Sequence, residues 1–385
     1  MRFADALSGS DFGAIAEFKR RSPSAGDIRP EARVEDVVPA YEAGGARAVS
    51  VLVAAAFAGS LDDLRTARAV VSLPLLAKGF FSTEEHLREV REAGADAALL
   101  ILRDLDDATA VSLMRAADEL GLDTLVEAHD EAELTRAARL GAGVIGVNAR
   151  DLGTFRIDRS AQLALVAKAP RDRVVVAESA VHTRAQAAAA ELAGANAVLA
   201  GTSLMRAADP GAKLHELLSR PLVKVCGLTR QEDVDAAVAA GADMVGFILA
   251  KESPRRTDEL LDAPDTVLRV AVLVGERHET GADLVQLYDR ENGHRSRDGV
   301  LFRGSRQVGL VLDLPWEGED DTHLDRARDH ADAVRVMLAG GLTPENVRHA
   351  IDEVRPWAVD SARSTELEPG VKDHEKVRAW VRAAR

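Results

Sequence analysis

The stretch that decides the fold is IAEFKRRSPSAG, residues 15–26. It begins as a short apolar run in which Glu17 and Lys19 are two residues apart, so their side chains lie on the same face of a strand. A turn containing Ser, Pro and Gly ends the run. An acid and a base at the end of a strand, beside hydroxyl groups, are typical of an α/β barrel that binds an anion. The alternative interpretation is a surface ion pair at a strand end.

Gly-Ala pairs recur along the chain and mark repeated units. Each is interpreted as the end of a helix followed at once by a strand, because glycine supplies the left-handed residue that ends a helix. The first five pairs are roughly 50 residues apart, which is room for two βα units each. The pairs begin at Gly45, Gly94, Gly141, Gly194, Gly241 and Gly281.

Eight apolar runs before residue 205 are predicted to be strands. Helical patterns such as residues 83–93, 130–140 and 183–192 separate them. This alternation predicts a (β/α)8 barrel, and the absence of a G-x-G-x-x-G motif disfavours a doubly wound open sheet. The predicted strands begin near Ala14, Ala48, Leu75, Ala97, Asp123, Val144, Arg173 and Ala197.

The pattern starts again with LVKVCGLT, residues 222–229, after one last helix and no flexible linker. We therefore expect two tandem (β/α)8 TIM barrels, at residues 1–219 and 220–385. The second is shortened, because residues 276–280 are too few for a helix. Residues 332–336 also run directly into MLAG (337–340), which we place near the sixth strand.

Composition narrows the class of protein. The chain has 385 residues, enough for two domains, and its few aromatic residues (4%) suit parallel strands filled with aliphatic side chains. A net charge of -14 argues against a nucleic-acid partner. A single cysteine excludes an internal disulfide framework and fits the cytoplasm. We expect no membrane partner, no metal and no cofactor, and a monomer.

Polar residues collect at the predicted strand ends of the first half. The active site of a barrel lies at the C-terminal ends of its strands. Two lysines and three carboxylates there suit acid–base chemistry on an anion, and solvent exposure is a poor explanation for the whole set. The set is Glu17, Lys19, Lys78, Glu127, Asn148, Glu178 and Ser179.

Four further motifs accompany the first stretch: LVEAHD (125–130), GVNARDL (146–152), VAES (176–179) and AGTSLM (200–205). Together they resemble the indole-3-glycerol-phosphate synthase family, in its order, over roughly residues 1–219. That family closes the indole ring of carboxyphenylamino-deoxyribulose phosphate with loss of CO2 and water. This sequence departs from the family at Ala77, Gly79 and Ala180, and most of the family's N-terminal extension is absent.

The resemblance implies a role for each site residue. Lys78 would be the general acid in ring closure, Lys19 would hold the anthranilate carboxylate, and Glu127 would act in dehydration. Glu17, Asn148 and Glu178 would orient the substrate. The remaining substrate and phosphate contacts would come from Ser22, Phe57, Arg150, Ser179, Gly201 and Thr202.

The second half carries KVCGLT (224–229), GF (246–247), SPR (253–255) and LAGGLTPENV (338–347). These resemble phosphoribosylanthranilate isomerase, which makes the synthase's substrate by an Amadori rearrangement. The resemblance implies that Cys226 is the base, that Arg255 contacts the substrate, and that Gly340 and Gly341 bind its phosphate. Asp313 is a candidate acid if the strands are counted differently. A lone cysteine on a strand is otherwise a small buried hydrophobe.

The hypothesis is a fusion enzyme of tryptophan biosynthesis that binds anionic phosphosugar–anthranilate substrates. Three alternatives remain at this point. One is a synthase with a degenerate, non-catalytic second barrel. The others are a non-catalytic phosphosugar-binding scaffold and a barrel isomerase of other sugar phosphates.

Overall fold

The computed structural model describes residues 2–9, 11–23, 25–150, 156–291, 294–314 and 322–385. Two compact units are present: residues 1–182 with 187–218, and residues 183–186 with 219–385. Each unit contains a closed barrel of eight strands, so the prediction of two barrels is confirmed. In the described part of the chain, no helix is long and apolar enough to cross a membrane.

The first barrel is wholly parallel, and each predicted strand start is within one residue of the observed one. Its strands are β1 Gly13–Phe18, β2 Ala48–Leu52, β3 Leu75–Lys78, β4 Ala97–Ile101, β5 Asp123–Ala128, β6 Val144–Asn148, β7 Val174–Glu178 and β8 Ala197–Ala200. Its helices are α1 Phe3–Leu7, α2 Val34–Ala43, α3 Leu61–Val70, α4 Glu84–Glu92, α5 Asp107–Glu119, α6 Glu131–Arg139, α7 Arg159–Lys168, α8 Arg184–Ala193, α9 Thr202–Arg206 and α10 Pro210–Leu218.

Two layers of apolar side chains hold the first barrel together, because successive strand residues point to opposite faces. Outward residues such as Val49 and Val126 pack in one cluster with helix residues such as Leu64. Inward residues such as Ile15 form a second cluster with Phe3 of α1. Most strand members of this inner cluster lie at or near the strand starts, so α1 closes the end of the barrel opposite the strand C-termini.

We predict that Phe3→Ala destabilises the first unit by about 3–5 kcal/mol, the usual cost of emptying a fully buried phenylalanine site. Phe3 has 0% exposure. Urea unfolding of the full chain measures the change. Val111→Ala, at a position that is 47% exposed, is the control and should change stability by less than about 0.5 kcal/mol. Equal effects of the two substitutions on stability would contradict the conclusion that Phe3 of α1 closes this end of the barrel.

The second barrel is mixed. Its strands are β9 Leu222–Cys226, β10 Met244–Ile248, β11 Leu268–Val274, β12 Leu284–Glu291, β13 His294–Arg303, β14 Arg306–Leu314, β15 Val336–Gly340 and β16 Ala358–Ser361. The helices that follow Ser219 are α11 Gln231–Ala239, α12 Thr322–Ala331, α13 Val347–Val354 and α14 His374–Ala384. β13 pairs antiparallel with both β12 and β14, and every other pair in this barrel is parallel.

Two expectations for the second half were wrong. Gly281 has a φ of +74° but follows a loop after β11, so it ends no helix. Val336–Gly340 is the seventh strand, not the sixth. Both errors come from counting units by helix–strand alternation. In the described residues no helix lies between β11 and β12, and β12, β13 and β14 are joined as hairpins. The sixth strand is therefore β14, which carries Asp313.

Candidate active sites

A cavity of about 700 Å³ opens at the C-terminal ends of the first barrel's strands. All but one of the residues predicted for the first site line it, and the exception, Glu178, is fully buried. The sequence set is therefore brought together in space. The lining members are Glu17, Lys19, Ser22, Phe57, Lys78, Glu127, Asn148, Arg150, Ser179, Gly201 and Thr202.

Lys78 lies in a buried ionic cluster with two carboxylates. Its Nζ donates to Glu178 Oε2 at 2.6 Å and lies 3.4 Å from Glu17 Oε2. Lys19 Nζ donates to the other Glu17 oxygen at 2.6 Å. Burial opposes every charge here, but the two ammonium groups lower the pKa of Glu17 to about 2. The carboxylates in turn raise the pKa of Lys78 despite its burial, so Lys78 is an ammonium at neutral pH.

Glu127 of β5 and Glu178 of β7 are both buried carboxyls, and β6 lies between their strands. Gly146 of β6 makes room for the Glu178 carboxyl, since a Cβ there would lie 2.0 Å from Glu178 Oε1. Burial, with the nearby Glu127 charge, raises the pKa of Glu178 to about 7 against the opposing effect of Lys78. The pKa of Glu127 is lowered in spite of burial, through His129 and Lys78. Near neutral pH Glu127 is therefore ionised, whereas Glu178 is close to the midpoint of its titration.

His129 contacts the site through Glu127 and is absent from the residues predicted from the sequence. Its ring lies 3.1 Å from Glu127 Oε1, and its side chain is only 3% exposed. The residue was visible in the LVEAHD motif, two positions after Glu127. The available signal was its position: residues two apart in an extended chain point to the same face, so His129 lies on the face of the strand-end Glu127.

The remaining lining residues form a polar rim and an aromatic rim. Asn148 Oδ1 accepts hydrogen bonds from the Ser179 hydroxyl at 2.9 Å and from the Arg150 backbone N–H at 3.0 Å. Ser179 and Ala180 both have left-handed φ angles, +71° and +54°, which are strained for residues other than glycine. Phe57 stacks on Phe80 with ring centroids 6.1 Å apart. The lining thus contains hydroxyl and amide groups as well as an apolar surface.

Gly146→Ala should lower turnover at this cavity roughly 100-fold, since the new methyl group displaces the Glu178 carboxyl and with it Lys78. The turnover number of the purified chain measures the effect. Gly143→Ala is the control, because a Cβ there meets nothing within 4 Å. A Gly146→Ala enzyme as active as the Gly143→Ala enzyme would show that the carboxyl position is unimportant.

The second barrel buries its own charged cluster. Lys224 is fully buried, and its Nζ donates to Asp360 Oδ2 at 2.8 Å, to Gln286 Oε1 at 2.6 Å and to Cys226 Sγ at 3.2 Å. Burial raises the pKa of the Cys226 thiol, and the Asp360 carboxylate adds to this rise against the opposing effect of Lys224. Cys226 is therefore a thiol at neutral pH in the free protein.

Asp313 is joined to this cluster through β12. Gln286 Nε2 donates to the Tyr288 hydroxyl at 2.6 Å, which donates to Asp313 Oδ1 at 3.1 Å. Arg295 Nη2 donates to the other Asp313 oxygen at 2.6 Å, and its guanidinium covers the Tyr288 ring at 4.0 Å. Burial raises the pKa of Asp313. The structure thus places Asp313 at a strand end, in the same hydrogen-bonded chain as Cys226.

The other residues predicted for the second half are Arg255, Gly340 and Gly341, and each contacts another part of the same barrel. Both oxygens of the buried Glu366 carboxylate accept from the Arg255 guanidinium, at 2.8 and 2.8 Å in the shortest contacts. Gly340, with a φ of +88°, ends β15, and a Cβ there would meet the Leu314 backbone at 2.2 Å. Gly341 follows, and its N–H donates to the Leu314 carbonyl at 3.3 Å.

A closed β/α barrel with paired lysines and carboxylates at the mouth of its strands defines a (β/α)8-barrel enzyme. The model of the family described as indole-3-glycerol phosphate synthase matches residues 1–217. The chain belongs to that family. The model described as N-(5'phosphoribosyl)anthranilate (PRA) isomerase matches residues 317–383. The prediction of a fusion of these two families is confirmed.

Two curated relatives agree with the family assignment. The chain is 30% identical to the multifunctional tryptophan biosynthesis protein of Schizosaccharomyces pombe, over all of this chain and 61% of that protein. It is 45% identical to indole-3-glycerol phosphate synthase 2 of Streptomyces coelicolor, over 56% of this chain and 84% of the relative. A solved phosphoribosyl anthranilate isomerase from Thermus thermophilus matches 42% of this chain and 96% of its own with 28% identity and a TM-score of 0.33. The chain thus spans about three-fifths of the fission-yeast relative.

Proposed function

We propose that this chain catalyses two reactions of tryptophan biosynthesis, each in one barrel. The second barrel isomerises phosphoribosylanthranilate, and the first closes the ring of the product to give indole-3-glycerol phosphate, releasing CO2 and water. The observation that carries the proposal is the largely buried Lys78 ammonium at the cavity, held by Glu178 and Glu17 in a chain of the synthase family. Its substrates are anionic phosphosugars, which the lysines of the mouth attract.

Lys78 is the general acid of the proposed ring closure. An ammonium between two carboxylates holds its proton tightly, so donation requires that a counter-charge be removed. Glu178 is suited to this, because its pKa of about 7 lets it take up a proton near neutral pH. A neutral Glu178 leaves Lys78 with less stabilisation of its charge and lowers the pKa of Lys78 towards the reaction pH.

The other residues of the mouth have complementary roles. Lys19 holds the anthranilate carboxylate, and Glu127, ionised beside His129, takes a proton in the dehydration step. The apolar side chain of Phe57 contacts the anthranilate ring of the substrate. Glu17, Asn148 and Arg150 orient the substrate, and its phosphate is held by Ser22, Ser179, Gly201 and Thr202, whose hydroxyl and backbone N–H groups suit an anion.

Lys78→Met should lower the synthase rate by two to four orders of magnitude, about the contribution of a general acid. Isomerase activity should be unchanged, because the isomerase residues are on other strands. The two half-reactions are assayed separately on the same preparation. Lys168→Met, which removes a half-exposed lysine paired with Glu131, is the matched control. Near wild-type turnover in the Lys78 variant would refute its assignment.

Cys226 and Asp313 are the base and the acid of the proposed isomerisation. Cys226 removes the proton from the sugar carbon, and Asp313 protonates the ring oxygen as the ring opens. The raised pKa of Asp313 favours the protonated form that an acid needs. The raised pKa of Cys226 means that only a small fraction is thiolate at neutral pH. Arg255 and the Gly340–Gly341 turn are the proposed substrate and phosphate contacts.

Isomerase kcat/KM should rise about tenfold per pH unit between pH 7 and 9, because the base becomes available only as the thiol ionises. Cys226→Ser should nearly abolish the activity, and Asp313→Asn should reduce it by two to four orders of magnitude, roughly the effect of losing an acid. Isomerase assays across this pH range measure the pH dependence and the activity of the two variants. If wild-type isomerase turns over about 10 times per second and Asp313→Asn has the same activity, another residue supplies the acid. Synthase activity without isomerase activity would indicate a non-catalytic second barrel.

A further inference from the structure

His129 follows β5 directly, and its imidazole bridges two carboxylates. Nε2 lies 3.1 Å from Glu127 Oε1, and Nδ1 lies 3.0 Å from Glu133 Oε2. A neutral imidazole has one N–H and one lone pair, whereas an imidazolium has two N–H groups. The Nδ1 contact has hydrogen-bond geometry, whereas the Nε2 contact is a close approach without it. A carboxylate oxygen beside each ring nitrogen favours the charged form of the ring.

Glu133 is held firmly on the far side of the ring. It lies in the first turn of α6, where its backbone N–H donates to the Asp130 side chain at 2.8 Å. Its Oε2 also accepts the His129 backbone N–H at 2.8 Å. Arg103 lies 3.4 Å from its other oxygen. The imidazole is thus fixed in direction and presents Nε2 to Glu127.

We propose that His129 is a positioning residue for the synthase reaction. As an imidazolium anchored by Glu133, it keeps Glu127 ionised and correctly placed, so that Glu178 is the one of the two carboxyls that takes up a proton near neutral pH. The proposal rests on the proposed synthase function of the first barrel. Glu127 lines the cavity, and His129 acts through it.

The surrounding charges agree with this role. The groups that face the His129–Glu127 pair are Glu133 of α6, Arg103 beside it, and Lys78 and Glu178 of β3 and β7. Burial alone would lower the pKa of His129, but the two carboxylates raise it to about 9. The imidazolium is therefore present at neutral pH, and its support of Glu127 is lost as the pH rises through about 9.

A histidine titration tests the charge directly. The full chain is labelled with 13C-histidine, and the His129 signal is assigned by its absence from His129→Asn. We expect this signal to titrate near pH 9, whereas an ordinary histidine titrates at about 6.5. A midpoint at or below about 6.5 would overturn the proposal. This readout requires no catalysis, so it stands whether or not the chain has synthase activity.

The pH profile of synthase kcat tests the role. Without the imidazolium the pKa of Glu127 rises, so the acid limb should move up by about one pH unit in His129→Asn. The alkaline fall near pH 9 should disappear, and kcat at pH 7 should drop about tenfold with KM changed less than about twofold. His215→Asn, at an exposed position on α10, should leave the profile unchanged.

Glu133→Gln is a second variant, so the role of His129 can still be tested if His129→Asn does not fold. It keeps the ring but removes its anchor, so the acid limb should move in the same direction by a smaller amount. An unchanged profile in either folded variant would overturn the proposal. A wild-type chain that makes no indole-3-glycerol phosphate would instead refute the proposed function, and the histidine titration would still decide the charge of His129.

Discussion

The constraint on which the first barrel depends is that buried charge must be paired. Glu17, Lys78 and Glu178 are nearly or fully removed from water, and an unpaired ion in such a place costs several kcal/mol. Their partners lie on three strands, β1, β3 and β7, so the charges are satisfied only in the closed barrel. The same closure gives the proposed acid two counter-ions and gives Glu178 a pKa near neutrality.

The second barrel meets this constraint with a different set of strands. Lys224 of β9 is neutralised by Asp360 of β16 and hydrogen-bonded to Gln286 of β12. A hairpin connection needs only about two residues, whereas a parallel crossover needs a dozen or more. Two hairpins in succession reverse the chain twice, so β14 again runs parallel to β12 and delivers Asp313 to the mouth. A short chain thereby closes eight strands with few helices.

Predictions from the sequence succeeded where local chemistry is strong. Gly45, Gly94, Gly141 and Gly194 all have positive φ angles and precede strands, because glycine tolerates that conformation at a helix end. The prediction failed at Gly281, where the same Gly-Ala dipeptide lies in a loop and does not end a helix. His129 was missed because its importance comes from Glu133, and a motif does not reveal which carboxylate a helix turn will bring against a ring nitrogen.

The sequence by itself determined the alternation of strands and helices in the first half, the restart at Leu222 and the identity of the polar residues at strand ends. These follow from periodicity and turn chemistry, which are properties of neighbouring residues. Only the tertiary structure decided that Glu178 lies beneath the cavity, that Arg255 is held by Glu366 and that β13 runs antiparallel. Pairing, burial and pKa depend on residues far apart in the chain, and barrel closure alone sets those distances.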